Sequence, residues 1–203
     1  MDVTIVLSWF VGLLWFATVL WIAFSVFRAS KNQSSKMAVP VAIGLALLAI
    51  ILTAVNSGLV FIEPQERGVV ISALAPGGYR TEPLQPGLSW VIPFFERVQI
   101  YPISYETYTM SIAPEEGQVL GDDSIAARTA DGQEILVDAS VIFAVDPDQV
   151  IRVHILWQDR YQNELVRAQA RSIIRDAVSQ FNVSEVVSTK RFEFIDMVNT
   201  QMT

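Results

Sequence analysis

Two long apolar runs open this chain, over residues 4–27 and 37–62, and neither contains a charged residue. A helix rises about 1.5 Å per residue, so each run exceeds the roughly 30 Å hydrocarbon core of a bilayer, which takes about 20 residues. The pattern predicts two transmembrane helices, at 4–27 and about 37–58, joined by the basic loop 28–36 into a hairpin anchor that spans 1–62. A cleaved signal peptide is the alternative for the first run, but that run is too long and follows no basic residue.

Positive charges around this hairpin predict its orientation. Arg28, Lys31 and Lys36 lie in the loop between the two runs, whereas the segment ahead of the first run has no basic residue. Cytoplasmic loops of membrane proteins carry an excess of Lys and Arg. We therefore expect an integral, two-pass membrane protein with its inter-helix loop in the cytoplasm and its large C-terminal domain on the extracytoplasmic side.

The composition of the two runs indicates how they pack and what they lack. Small residues recur at helical spacing in the second run and predict close packing against the first helix; they are Ala38, Ala42, Ala46 and Ala49. Neither run has an ionisable residue that would mark an ion or substrate path, which weakens the interpretation as an accessory subunit of a transport complex. Asn56 is the nearest polar candidate for such a role.

The first half of the C-terminal region has the pattern of strands and turns. Short β-rich runs at 59–62, 68–74, 89–92, 97–101 and 105–110 alternate with turns that contain proline and glycine. Asp131-Gly132 is a signal for a two-residue hairpin turn. The alternation that follows predicts one long strand with a single wet face; its inward residues are Ile135, Val137, Ala139, Val141, Phe143 and Val145.

Helical patterns follow, with three predicted N-caps at Asp146, Asp159 and Asn182. The longest predicted helix, 164–181, has an apolar face that we expect to pack on the sheet; it comprises Leu165, Ala168, Ala170, Ile173, Ala177 and Phe181. Strands followed by helices indicate an α+β domain with a mainly antiparallel sheet. The fold class is thus a membrane-anchored α+β protein.

Charge and chemistry exclude several functions for residues 63–203. This part holds 11 Lys and Arg against 20 Asp and Glu, and an acidic surface disfavours binding to nucleic acid. The chain has no cysteine, which excludes disulfides and thiolate metal sites. The pattern therefore predicts no cofactor and no metal.

A membrane-anchored hydrolase is the enzymatic alternative, but the sequence offers few of the residues that such an enzyme needs. Nucleophilic catalysis needs a base beside the nucleophile. The one histidine, His154, lies in an apolar segment, and Lys190 neighbours Arg191 and Glu193 on a solvated face. No Gly-x-Ser-x-Gly, His-Glu-x-x-His or phosphate-loop motif occurs. We expect no catalytic site.

Four segments, in order, resemble one family. They are Pro64-Gln-Glu-Arg-Gly-Val-Val70, Gln85-Pro-Gly-Leu-Ser-Trp-Val-Ile-Pro93, Arg128-Thr-Ala-Asp-Gly-Gln-Glu-Ile135, and 161–175 followed by Asn182-Val-Ser-Glu185. The region from about Phe61 to Met202 resembles the band 7 or SPFH superfamily of stomatin, prohibitin and flotillin, nearest to prohibitin-like members. The resemblance divides the chain into the anchor 1–62, an SPFH domain at 63–182 and the start of a C-terminal helical segment at 183–203.

This resemblance implies a non-enzymatic membrane scaffold. Its subunits would pack side by side into large rings or cages, enclose a membrane microdomain and regulate membrane proteins such as AAA-type proteases. Two features depart from the family. This chain has two predicted membrane segments where many prohibitin-like relatives have one, and it stops at Thr203 inside a helical pattern where relatives continue into a coiled coil. We expect either a fragment or a protein that lacks that coiled coil.

Two surfaces are candidates for contacts. Seven of the eight residues in Leu-Ser-Trp-Val-Ile-Pro-Phe-Phe at 88–95 are apolar, so this segment is either a fully buried strand or a segment in the membrane interface, where Trp and Phe are favoured. The interface hypothesis names Leu88, Trp90, Ile92, Phe94 and Phe95.

The second candidate surface is charged. Arg167, Arg171 and Arg175 recur every four residues, and like charges at that spacing repel slightly. The acidic loop 115–123, with Asp122 and Asp123, is the nearest supply of compensating charge, either in the same chain or in a neighbouring subunit. A solvated face is the alternative. Side-by-side packing would make such a contact heterologous and repeating, and we expect these five residues to form it.

Overall fold

The computed structural model describes residues 3–30 and 38–202. They form two compact units, Met1–Tyr101 and Pro102–Thr203. The first unit contains the helical hairpin and four strands, and residues 183–202 belong to the second unit.

The first unit begins with the two predicted helices, α1 (Val3–Ser30) and α2 (Ala38–Ser57). The parts long and apolar enough to cross a membrane are Ile5–Arg28 and Val39–Ser57, and within an 18-residue apolar stretch of each only 11% and 6% of the residues are buried. A core helix of a soluble protein would be mostly buried, so these exposed apolar surfaces suit a bilayer. Most of the predicted basic loop, including Lys31 and Lys36, lies outside the described residues.

The two helices pack against each other through the predicted small residues. Ala42 and Ala46 are half-buried and Ala49 is fully buried, opposite a stripe on α1 that includes Val11 and Thr18. Two side-chain hydrogen bonds cross between the helices. Trp15 Nε1 donates to Thr53 Oγ1 at 3.0 Å, and Asn56 Nδ2 donates to Ser8 Oγ at 3.1 Å. Small residues and interhelical hydrogen bonds of this kind hold helices together in lipid.

Four strands complete the first unit: β1 (Leu59–Ile62), β2 (Glu66–Ser72), β3 (Gly87–Trp90) and β4 (Glu96–Pro102). β1 pairs with β3 in antiparallel register, and β2 pairs with β4. All four were predicted within a few residues. Their buried side chains include Ile62, Val69, Val70 and Tyr101.

The second unit contains β5 (Glu106–Met110), β6 (Ile125–Arg128), β7 (Glu134–Val137) and β8 (Ala139–Phe143). The prediction of one long strand was wrong, because that strand is divided at Asp138. β7 pairs with β6 and β8 pairs with β5, both antiparallel. Residues 111–124 form the connection between β5 and β6 and pair with neither β7 nor β8. At the start of this connection, Asp138 accepts hydrogen bonds from the Ile112 N–H at 3.0 Å and from Ser111 Oγ at 3.2 Å.

The predicted alternation and its turn have different outcomes. The inward face is confirmed: residues 135, 137, 139, 141 and 143 are half-buried and Val145 is buried. The predicted two-residue turn was wrong. The N–H of Thr129 donates to the Gln133 carbonyl at 2.9 Å, which leaves a three-residue loop with Gly132 at φ 81°. A glycine with positive φ is usual in loops of this length.

The helical part comprises α3 (Val150–Leu156), a 3₁₀ turn (Gln158–Arg160), a π turn (Gln162–Val166), α4 (Arg167–Val178), a second π turn (Glu185–Thr189) and α5 (Arg191–Met202). The predicted capping box at Asn182 is confirmed in one of its two bonds: the Asn182 N–H donates to the Glu185 carboxylate at 2.9 Å. Asp146 instead closes a turn onto the Asp148 N–H, ahead of α3. The cap predicted at Asp159 was wrong, because that residue lies inside the 3₁₀ turn.

The core of the second unit lies between its two strand pairs, β5–β8 and β6–β7, and α4. It is formed by Tyr108, Met110, Ile125, Ala127, Ala170, Ile174 and Val178. The predicted apolar face of this helix was partly wrong, because Ala168 is exposed and Ile174 and Val178 are buried. The buried residues Ala170, Ile174, Ala177 and Val178 instead recur at regular helical spacing along α4. α5 packs on α4, with the rings of Phe181 and Phe194 5.9 Å apart at 88°.

Candidate functional site

The apolar segment 88–95 lies at the end of α2, the second helix long and apolar enough to cross a membrane. α2 ends at Ser57, and Gly58 alone separates it from β1, which pairs with β3. Trp90 Nε1 donates to the Val55 carbonyl at 3.2 Å, and the Val91 N–H donates to the Gly58 carbonyl at 2.8 Å. The last carbonyls of a helix lack partners within that helix. Here the Val55 carbonyl accepts both the Gly58 N–H and Trp90 Nε1, and the bond from Trp90 ties the β1–β3 ribbon to α2.

One face of the β1–β3 ribbon is apolar and exposed. Leu59 lies opposite Trp90, and Phe61 lies opposite Leu88, so these four side chains share a face. Leu88 is 52% exposed and Trp90 is 47% exposed. The interpretation of 88–95 as a fully buried strand was therefore wrong, although Val91 is buried.

The turn after β3 presents further aromatic residues. Phe94 is fully exposed and has φ 68°, Phe95 is exposed, and Ile92 is half-buried. A positive φ is unusual for a bulky residue and marks a strained position that the surroundings must enforce.

The buried carboxylate of Glu96 enforces that turn. It accepts the Ile92 N–H at 2.8 Å and forms an ion pair with Arg80, whose Nε lies 3.0 Å from Oε1. The hydrogen bond from Arg80 holds the pKa of Glu96 below its usual value. The buried Glu96 carboxylate thus fixes the turn that exposes Phe94, and the partly exposed Arg80 pairs with it.

The arginine row contacts an acid of the same chain. Asp123 is only 2% exposed and forms ion pairs with Arg167 and with Arg171, whose Nη2 lies 2.6 Å from Oδ1. Arg171 also donates to the Asp123 and Ser124 carbonyls, and Arg175 Nε donates to the Ala126 carbonyl at 3.0 Å. Hydrogen bonds from Arg167 and then Arg171 lower the pKa of Asp123. The row therefore fastens α4 to the start of β6.

Asp122 has a different environment from its neighbour. It is exposed, and its Oδ1 accepts the Ser124 N–H at 2.9 Å and the Ser124 hydroxyl at 2.6 Å. These bonds from Ser124 lower the pKa of Asp122. Of the five residues predicted for a subunit contact, Asp122 and Arg175 are the exposed ones, whereas Asp123, Arg167 and Arg171 form an internal cluster.

Sequence reasoning missed a polar network where the first π turn meets β5. Tyr161 Oη and Gln162 Nε2 donate to the Glu106 carboxylate at 3.1 and 3.0 Å, and Tyr108 Oη donates to Asn163 Oδ1 at 3.0 Å. Burial raises the pKa of Tyr108 and of Tyr161. The partners are 55 or 56 residues apart, and no spacing in the sequence signals them.

The described residues can also be compared with the requirements of a metal site. Within residues 3–30 and 38–202, no group of three or more His, Asp or Glu side chains is placed to hold a metal ion. His154, in the apolar segment noted above, is half-buried on α3.

Comparison with known families supplies the remaining finding. The family model described as SPFH domain / Band 7 family matches residues 60–203, well over half of the chain. The matched region begins in β1 and includes both candidate surfaces. A comparison with curated proteins returned no match.

Proposed function

Because the chain belongs to the SPFH domain / Band 7 family, we propose that it is a non-enzymatic membrane scaffold. Copies of it assemble side by side, organise a membrane microdomain and regulate integral membrane proteins, with AAA-type proteases as the client class. Its partners are the lipid bilayer and further copies of itself, and it binds neither nucleic acid nor a cofactor.

The observation that carries this proposal is the junction between α2 and the β1–β3 ribbon. With Gly58 as the only connecting residue, the ribbon begins where the membrane helix ends. Its exposed apolar face and the exposed Phe94 then lie at the level where Trp and Phe are favoured in membrane proteins. The ribbon and the following turn rest in the membrane interface and fix the scaffold to the bilayer.

Spin labels test this contact, because the chain has no cysteine and each variant carries a single label. Leu88→Cys and Phe94→Cys are labelled in full-length protein in lipid nanodiscs, with exposed Glu82→Cys as the control. We expect labels at 88 and 94 to be accessible to oxygen and shielded from a water-soluble nickel reagent, and the label at 82 to show the reverse. Equal access of the nickel reagent to all three labels would contradict a membrane contact.

The same approach tests the orientation predicted from Arg28, Lys31 and Lys36. In intact cells, Ser34→Cys should react only with membrane-permeant thiol reagents, and exposed Glu115→Cys should also react with impermeant ones. The opposite labelling pattern would place the SPFH domain in the cytoplasm.

Native mass tests the scaffold class. After gentle detergent extraction, we expect the protein to migrate as a very large assembly, and crosslinking before extraction should recover a membrane-bound AAA-type protease with it. A monomer under every extraction condition would exclude the scaffold and favour a protein that acts alone.

A further inference from the structure

The two edges of the β5–β8 ribbon differ. In the antiparallel register Glu106 lies opposite Phe143, Tyr108 opposite Val141 and Met110 opposite Ala139. On the outer edge of β5, the side-chain amide of Gln118 covers the backbone: its Oε1 accepts the Thr109 N–H, and its Nε2 donates to the Thr107 carbonyl, both at 2.7 Å. That edge is therefore blocked by the chain's own loop.

The outer edge of β8 is open. Since the Thr107 and Thr109 backbone groups point away from β8, those of Ser140 and Ile142 point away from β5 by the alternation of an antiparallel ladder. Among the described residues, β8 pairs with β5 alone. An edge strand with unpaired N–H and C=O groups is a template for a further strand.

A groove of about 680 Å³ runs beside this open edge. One wall of the groove is β8, and the other is formed by the first π turn and α4. Residues at the end of α5 lie at one side of it. The lining includes Val141, Phe143, Leu165, Gln169, Ile173 and Met202. None of its described lining residues is charged, although residues 63–203 hold 20 acids and 11 bases. A charged side chain that entered it would lose water without gaining a partner.

We propose that this groove binds an extended, uncharged, apolar segment of a partner protein, which adds to β8 as a third strand. Main-chain hydrogen bonds to Ser140 and Ile142 supply affinity, and alternate side chains enter the groove between β8 and α4. Strand addition of this kind takes its specificity from pockets for every second side chain.

The shape of the groove favours a single extended segment over a second copy of this chain. A second β8 would arrive with its own helices and its own groove on the same face of the ribbon. The two grooves would then merge into one apolar void, which is unfavourable because unfilled apolar space loses packing contacts. A lone strand instead fills the groove with its own side chains. This inference goes beyond the proposed scaffold role and does not depend on it.

The test measures fluorescence anisotropy of a labelled peptide, acetyl-Ser-Val-Thr-Ile-Thr-Val-Ser-amide, against the full-length protein in nanodiscs. One control peptide replaces both threonines with proline, which removes backbone donors, and another replaces the valines and isoleucine with glutamate. We expect saturable binding of the first peptide, at least tenfold weaker binding of both controls, and no saturable binding to empty nanodiscs.

Three variants locate the site. Gln169→Trp fills the groove, and Ile142→Pro removes an N–H from the open edge, where proline is tolerated; each should weaken binding at least tenfold. Gln180→Trp is the matched control, because Gln180 is exposed beyond the end of α4 and outside the groove, and it should bind like the wild type. Thermal unfolding measured by circular dichroism identifies any variant that fails to fold. If one groove variant does not fold, the peptide affinity of the other one tests the site.

Several outcomes would overturn the proposal. They are equal binding of all three peptides, equal binding by both folded groove variants and the wild type, or absence of saturable binding to the wild type. A fourth is a change in native mass caused by Gln169→Trp with peptide affinity unaltered, which would assign the groove to a second copy of the chain. A protein that binds the peptide but fails to form large assemblies would leave this inference intact while contradicting the proposed function.

Discussion

Asp123 is the residue on which the charge cluster of the second unit depends. It is almost fully buried and forms ion pairs with two arginines of α4. Asp123→Asn would leave two guanidinium groups side by side without their counter-charge. We expect it to lower the free energy of unfolding by roughly 3 kcal/mol, the scale of breaking a buried ion pair. Chemical denaturation in detergent measures this, with Asp122→Asn as the exposed control, which should unfold like the wild type.

Because of the same cluster, the effect of Arg171→Glu on assembly is not a test of a subunit contact. The sequence analysis proposed the row of arginines as a subunit contact, which a charge reversal would disrupt. In the structure, a glutamate at 171 would face the buried Asp123 carboxylate. We therefore expect this variant to destabilise the second unit, so loss of assembly would not identify an interface.

Stability should fall at acidic pH because of Asp123 and Glu96. The pKa of each is lowered in the folded protein, from ordinary values of 3.8 and 4.5. A group with a depressed pKa contributes stability above its unfolded pKa and loses that contribution as pH falls through its folded pKa. Thermal unfolding should therefore be insensitive to these groups from pH 7 to 5 and steeply pH-dependent below about pH 4. Asp123→Asn should flatten this dependence, and an unchanged slope would contradict the assignment.

At the scale of elements, the junction between α2 and β1 depends on glycine. A Cβ on Gly58 would lie 2.3 Å from the Val91 carbonyl oxygen and 2.5 Å from Trp90 Nε1, so the backbone or the indole would have to move. We expect Gly58→Ala to lower the free energy of unfolding by about 1–3 kcal/mol, as overpacking does. Gly44→Ala in α2 is the control, because a Cβ there meets nothing within 4 Å.

The junction variant also has a structural readout. If the ribbon moves away from α2, the spin label at position 88 should gain access to the nickel reagent in Gly58→Ala and not in Gly44→Ala. Equal accessibility together with unchanged stability would show that the close approach at Gly58 does not hold the ribbon in place.

At the scale of the whole molecule, the charges available for a lateral contact are those that the internal cluster does not use. Arg175 and Asp122 are exposed on the second unit, and we propose them as the basic and acidic members of a repeating contact between subunits. Arg175→Glu should reduce the native mass of the assembly, because it places like charges in the contact. Asp122→Lys in the same chain should partly restore it. Unchanged native mass in the single variant would place the subunit contact elsewhere.

Local periodicity was enough to predict both membrane helices, the alternating face of residues 135–145 and the Glu185 cap, because each depends on residues within a few positions of one another. The four family segments likewise stand in the sequence itself, and the match over 60–203 confirmed the family they indicated. For the same reason, the predicted boundaries of the strands in the first unit lie within a few residues of the observed ones.

Tertiary structure decided what periodicity cannot represent. The predicted long strand is divided at Asp138 because its pairing partner changes there, from β6 beside β7 to β5 beside β8. The sequence supplied acids and arginines in suitable numbers, but only the approach of chain segments 44 and 48 residues apart assigned Arg167 and Arg171 to the buried Asp123 and left Asp122 exposed.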